Sequence, residues 1–135
     1  MMNAQLDRID GIMRALRHHR RRVLEATRNS GLQQIPLHSP GDDCGTHAVY
    51  LLPSTQQADA FAKSIGGTVV GKTGRHVYTE WDPIFRKQGA HCPGLNPFRL
   101  PQNRGCRMTY RKNQCPRSLD ILNRAVMIGL HPDRT

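Results

Sequence analysis

The segment from Gly71 to Arg111 shows neither the three-and-four spacing of apolar residues that marks a helix nor the alternation that marks a strand. Four prolines interrupt it, namely Pro83, Pro93, Pro97 and Pro101. Only a short element between Val77 and Trp81 is predicted within it, so regular secondary structure is confined to the residues on either side. An irregular segment of this length in a small domain usually has a functional role.

Length and composition indicate one small domain. A chain of 135 residues, 37% of them hydrophobic and 5% aromatic, closes a single modest core and not the two-domain architecture of a large cofactor enzyme. No apolar run reaches the roughly 20 residues that span a bilayer, and no signal peptide opens the chain. A cytoplasmic protein without a membrane partner is therefore expected.

The N-terminal residues predict a long amphipathic helix. From Ala4 to about Thr27, apolar residues recur three and four positions apart, at Leu6, Ile9, Met13, Leu16 and Val23. Asn29 to Gly31 follows, and a glycine just past the last turn adopts the left-handed conformation at little cost. The helix is expected to end there.

The opposite face of this helix is almost wholly basic. It carries Arg14, Arg17, His18, Arg21, Arg22 and Arg28. The formal charge of +10, with Arg the commoner cation, fits an anionic partner without naming it. Three interpretations of this basic face stay open: it is simply solvated, it docks against another domain, or it binds nucleic acid. In the last of these the phosphate-contacting residues would be Arg17, Arg20, Arg21 and Arg22.

A strand, a helix and a second strand are predicted next. Thr46 to Leu52 is a short apolar strand that a proline ends. Ser54, with Gln57 three residues later, forms a capping box for the helix. The buried face of that helix is predicted to hold Ala58, Phe61, Ala62 and Ile65. Gly66 to Gly67 ends the helix before a strand from Thr68 to Val70.

One more helix and strand are predicted near the C-terminus. Pro116 suits the first turn of a helix, and a strand from Ala125 to Leu130 follows. Asp133 or Thr135 would serve as the cap of a further helix, an ending expected of a truncated chain.

Residues 66–73 match the phosphate-loop pattern G-x-x-x-x-G-K-[ST] in every position. A phosphate loop leaves a strand and enters a helix, whereas here a predicted helix comes before the glycines and Gly74 follows soon after the lysine. We therefore expect the match to be coincidental. A nucleotide hydrolase would require a helix that begins at Thr73.

The cysteines are irregularly spaced and are expected to be reduced thiols: Cys44, Cys92, Cys106 and Cys115. Structural zinc sites present pairs of ligands two to four residues apart, and the adjacent His91 and Cys92 do not suit one tetrahedron. No metal site is therefore expected.

Four stretches of the chain together resemble one known family. They are residues 75–83 (RHVYTEWDP), 90–98 (AHCPGLNPF), 115–124 (CPRSLDILNR) and 130–135 (LHPDRT). The family is that of the DegT/DnrJ/StrS sugar aminotransferases, and the match is nearest to the C-terminal domain of the amino-octulosonate transaminases. Residues 4–10 are similar to the helix that joins the family's two domains. Cys92 departs from the pattern, because relatives commonly have a second histidine there.

The resemblance implies an α+β fold, in which a small, mostly antiparallel sheet with flanking helices forms the C-terminal domain of a fold-type I pyridoxal-phosphate aminotransferase. Residues 1–31 would be the connecting helix and residues 45–135 the small domain, with the N-terminal cofactor-binding domain absent. The intact relatives move an amino group from glutamate or glutamine to a keto sugar by means of pyridoxal phosphate. A truncated or split part of such an enzyme is expected to be inactive alone.

A cluster of rings in the irregular segment predicts a pocket. His76, Tyr78 and Trp81 place an imidazole, a phenol and an indole within six residues, although simple packing of the two larger rings is the alternative. In the relatives the matching loop lies by the active-site mouth. The resemblance thus implies substrate-side roles for His76, Tyr78, Trp81 and His91.

No lysine of the chain matches the family's cofactor lysine, so no catalytic residue is assigned and no cofactor is expected on this chain alone. The partner implied is a large cofactor domain or a second subunit, if one is separately encoded. It would dock on the apolar stripe of the first helix and on the loop from His76 to Pro97.

Overall fold

A computed structural model of the protein describes residues 2–89, 91–106 and 109–131. It is an α+β structure in which helices pack against a small open sheet of four strands. The helices of the described residues are α1 (Met2–Thr27), α2 (Thr55–Ile65), α3 (Asp82–Phe85) and α4 (Pro116–Arg124). The strands are β1 (Gln33–Gln34), β2 (His47–Leu51), β3 (Thr68–Val69) and β4 (Ala125–Gly129). The α+β class and the antiparallel sheet expected from the sequence are confirmed.

The sheet has the order β1-β2-β4-β3, and each neighbouring pair is antiparallel. The central pair sets Tyr50 opposite Val126, and β3 adds Val69 on the other side of Val126. Side chains alternate between the two faces of a strand, so these three residues lie on one face of the sheet. All three are buried, which places the core on that face.

The core joins that face of the sheet to α2 and to the second half of α1. Its buried members are Ala48, Tyr50, Leu52, Ala58, Ala62, Val69 and Val126. Phe61 packs edge-on against Tyr50 with ring centroids 6.1 Å apart. The hydroxyl of Tyr50 shares a hydrogen bond of 2.7 Å with that of Thr27, which attaches the last turn of α1 to β2. The buried phenol is thereby satisfied without water.

The long first helix is confirmed, and Gly31 has the left-handed conformation expected beyond its end, with φ of 73°. Its apolar stripe, however, is only partly covered. Val23 packs against the core and Leu16 is 7% exposed. Leu6 and Ile9 are 62% and 46% exposed. The first turns of α1 therefore present an apolar surface that the described residues of the chain leave uncovered.

The predicted limits of α2 are confirmed. Ser54 has extended backbone and its hydroxyl accepts a hydrogen bond of 3.2 Å from the N–H of Gln57, as an N-cap does. Gly66 ends the helix in the left-handed conformation. The two strands on either side of α2 are not neighbours in the sheet, because β4 lies between them.

The described parts of the irregular segment contain only short helical turns and loops, as its composition predicts. Short 3-10 turns span Val70–Lys72, Gly74–His76, Tyr78–Glu80, Pro93–Leu95 and Pro101–Asn103, and α3 is one turn of α-helix. Strand β3 ends at Val69, one residue earlier than predicted. No α-helix begins at Thr73, so the match to the phosphate loop is coincidental.

The sequence did not predict β1, which is too short and too polar to show a pattern. The further helix cap suggested at Asp133 or Thr135 lies outside the described residues. Within the described part of the chain, no helix combines the length and the apolar composition that crossing a membrane requires.

Candidate functional site

The turns from Gly74 to Asp82 carry three of the four residues assigned to the substrate side. Tyr78 is half-buried, and its hydroxyl donates a hydrogen bond of 2.7 Å to the carbonyl oxygen of Lys112. The same hydroxyl accepts one of 3.1 Å from the N–H of Cys115. Tyr78 therefore fastens the segment that leads into α4 to these turns.

The other three ring residues are exposed. His76 lies on the turn before Tyr78. Trp81 occupies the N-cap position of α3 and is 48% exposed. The N–H of Trp81 donates to the carbonyl of Tyr78 at 3.0 Å, so the backbone holds these two residues together. His91 lies beyond α3 and is exposed. The structure thus groups His76, Tyr78 and Trp81 on successive turns and places His91 on the next loop.

That next loop surrounds a basic cavity that sequence reasoning missed. The cavity has a volume of about 540 Å³ and is lined by Arg86, Lys87, Gln88, Gly89, Pro93, Asn96 and Arg99. Asn96 is 7% exposed; its amide donates to the carbonyl of Lys87 at 3.2 Å and accepts from the N–H of Phe98 at 3.0 Å. A buried amide whose nitrogen and oxygen are both hydrogen-bonded holds both sides of the loop in place.

The signal for this cavity was weak in the sequence, because Arg99 lies twelve positions after Lys87. Lys87 has a positive φ of 53°, which is uncommon for a residue other than glycine. This turn of the chain lets Arg86 and Lys87 share a cavity with Arg99. His91 lies between Gly89 and Pro93 in the chain, both of which line it.

The lysines of the chain do not fit covalent attachment of pyridoxal phosphate. Such a lysine needs a desolvated pocket or a neighbour that tunes it. Lys63, Lys72, Lys87 and Lys112 are all exposed. Lys72 pairs with Asp59 at 2.6 Å, and Lys112 lies 3.8 Å from Asp82 and 5.8 Å from the centre of the Phe85 ring.

All four cysteines are exposed free thiols. In the part of the chain that the structure describes, no three His, Cys, Asp or Glu side chains come together in an arrangement that could hold a metal ion. The adjacent His91 and Cys92 belong to the loop around the basic cavity.

A second basic site lies on α1. The Nε of Arg17 donates to the carbonyl of Asp43 at 2.7 Å, and the Nε of Arg20 donates to the carbonyl of His47 at 3.1 Å. The Arg20 Nε also lies 3.7 Å from the Asp43 carboxylate, and the Arg20 side chain is only 11% exposed. Arg21 and Arg22 are exposed. Of the four arginines considered for nucleic acid, two therefore bind the chain itself.

A groove of about 540 Å³ runs between α1 and the loop before β2. It is lined by Arg14, Arg17, His18, Arg20, Arg21, Pro40, Gly41 and Asp43. The sequence placed Arg14 and His18 on the basic face of the helix but did not reveal the loop that forms the other wall.

Comparison with known protein-family models finds no match to this chain, and comparison with curated proteins finds no significant match either.

Proposed function

We propose that this chain is the small domain of a pyridoxal-phosphate-dependent sugar aminotransferase, completed by a large cofactor-binding domain that is not part of these 135 residues. The observation that carries the proposal is the uneven covering of α1. Leu16 is 7% exposed, whereas Leu6 on the same stripe is 62% exposed and Ile9 is 46% exposed. In the family that the chain resembles, this helix connects the two domains. An apolar helix face left bare at that place is what a docking large domain would cover.

The irregular segment supplies the substrate side of the same assembly. His76 and Trp81 are exposed on the turns that Tyr78 fixes to the segment before α4, and His91 is exposed on the loop after α3. Rings held in position but open to solvent suit one wall of a pocket whose other wall comes from a partner. Arg86, Lys87 and Arg99 add positive charge in the cavity that Gly89 and Pro93, on either side of His91 in the chain, also line. Guanidinium and ammonium groups bind carboxylates, which favours an acidic keto sugar as substrate.

The roles divide between the two domains. The large domain provides the cofactor lysine, because no lysine here is desolvated. The small domain orients the keto sugar and excludes water from it. In the reaction the amino group leaves glutamate, which becomes 2-oxoglutarate, and replaces the carbonyl oxygen of the sugar.

Complex formation tests this proposal. The large domain of an amino-octulosonate transaminase, expressed without its own small domain, is mixed with this chain and the mass of the product is measured by light scattering. We expect a one-to-one complex that the substitutions Leu6→Asp and Ile9→Asp abolish together. Ile121→Asp on α4 is the matched control, because Ile121 is as exposed as Ile9, at 46%. A monodisperse, protease-resistant monomer that does not bind the large domain would contradict the proposal.

A further inference from the structure

A row of basic side chains on α1 has no part in the proposed transamination. Arg14, His18 and Arg21 follow one another four and three residues apart, so they project from one side of the helix. All three are exposed, and all three line the groove between α1 and the loop that carries Asp43. Arg22 is exposed beside them. This is the most basic surface on the first helix.

Hydrogen bonds within the chain fix the loop that forms one wall of the groove. Arg17 and Arg20 donate to backbone carbonyls at Asp43 and His47 and so attach the loop to α1. The carboxylate of Asp43 lines the groove, but it lies 3.7 Å from Arg20 and accepts a hydrogen bond of 2.9 Å from the N–H of Gly45. Its negative charge is therefore compensated inside the protein. An anion in the groove would meet a net positive lining.

The length of the row favours a polymer of phosphates over a single anion. With a rise of 1.5 Å per residue, the row from Arg14 to Arg21 is about 10 Å long. One phosphate contacts one or two such side chains, whereas consecutive phosphates of a strand contact the whole row. The sequence of α1 contains no Phe, Tyr or Trp on which unpaired bases could stack. These features favour the backbone of a duplex over a single strand.

We propose that α1 binds the phosphate backbone of duplex nucleic acid, without reading base sequence, through Arg14, Arg21 and Arg22. His18 and the loop at Pro40 form the rest of the contact surface. Arg17 and Arg20 keep the loop in place and contact the chain itself. This binding is independent of the proposed transamination, which uses the other end of α1 and the loops after β3.

The test is a fluorescence anisotropy titration of a labelled DNA duplex of about 20 base pairs with the full chain, at several salt concentrations. Three phosphate contacts predict a slope of about −2.7 for log K against log salt, or roughly 40-fold weaker binding at 200 mM than at 50 mM. The triple substitution Arg14→Gln, Arg21→Gln, Arg22→Gln is expected to remove most of that slope.

A second triple variant controls for overall charge. Arg104→Gln, Arg111→Gln and Arg117→Gln remove the same number of charges from exposed positions outside α1. This variant is expected to keep the wild-type slope. Equal losses in both variants would show that net charge alone drives binding and would overturn the proposal. Failure to bind DNA, with binding to anionic phospholipid vesicles that depends on the three α1 arginines, would overturn it in favour of a membrane surface.

Discussion

The hydroxyl of Tyr78 donates a hydrogen bond of 2.7 Å to the carbonyl of Lys112, 34 residues further along the chain. The same oxygen accepts a hydrogen bond from the N–H of Cys115, the residue before α4. One phenol thus connects the turns that carry His76 and Trp81 to the start of the last helix. The geometry of the proposed substrate wall depends on this connection.

We expect Tyr78→Phe to lower the free energy of unfolding by about 1–2 kcal/mol, because it removes both hydrogen bonds and keeps the ring. Urea denaturation measures the loss, and amide exchange at Cys115 should become faster. Tyr110→Phe is the control, since Tyr110 is 40% exposed and its ring packs edge-on against Phe98. Unchanged stability and exchange in Tyr78→Phe would show that the phenol does not hold the segment.

The approach of β2 to α1 depends on Gly45. This residue has a φ of 76°, and a Cβ added to it would lie 2.9 Å from the backbone nitrogen of Arg17. Gly45→Ala therefore combines left-handed strain with overlap against a helix backbone that cannot move freely. Gly74 has a φ of 66° but nothing within 4 Å of an added Cβ. We expect Gly74→Ala to cost about 1–2 kcal/mol and Gly45→Ala at least about 1 kcal/mol more. Thermal or urea unfolding measures both losses of stability. Equal losses in Gly45→Ala and Gly74→Ala would contradict the close packing of Gly45 against α1.

Two neighbouring arginines on α1 are predicted to behave differently. Arg20→Ala should destabilise the fold by about 2 kcal/mol, because its partly buried guanidinium hydrogen-bonds a carbonyl and neighbours the Asp43 carboxylate. Arg22→Ala should change stability by less than about 0.5 kcal/mol, because Arg22 is exposed. Chemical denaturation of both variants measures the two changes in stability. The reverse order of the two losses would refute this assignment of structural and surface roles.

Lys72 is predicted to have no role in nucleotide binding. It is the last residue of a 3-10 turn and pairs with Asp59, and both side chains are about half exposed. A fluorescent ATP analogue should show no saturable binding that Lys72→Ala removes. The substitution should also cost less than about 1 kcal/mol, as surface ion pairs do. Saturable binding that depends on Lys72 would revive the phosphate-loop interpretation.

Local signals explain which elements the sequence predicted. Helices α1 and α2 have sustained apolar spacing, and a left-handed glycine follows each, Gly31 four residues after α1 and Gly66 directly after α2. Ser54 caps α2 by a hydrogen bond from a residue three positions away. These interactions join residues that are close in the sequence, so a local sequence pattern is enough to predict them. The position of β4 between β2 and β3 rests on pairings such as Tyr50 with Val126, which no local pattern encodes.

The sites were less predictable than the helices. The structural role of Arg20 had a signal, because Arg20 lies four residues after Leu16 and three before Val23 and so shares their inward face. The cavity at Arg86, Lys87 and Arg99 had only a weak signal, since it depends on the unusual backbone at Lys87 and on the buried amide of Asn96.

The most direct measurement of the central claim is the formation of 2-oxoglutarate from glutamate and an acidic keto sugar when this chain is mixed with the large domain of an amino-octulosonate transaminase. Neither component should be active alone. We predict activity that saturates at one chain per large domain and disappears when Leu6→Asp and Ile9→Asp are introduced together. A mixture that forms no 2-oxoglutarate at any ratio would contradict the assignment of this chain as an aminotransferase small domain.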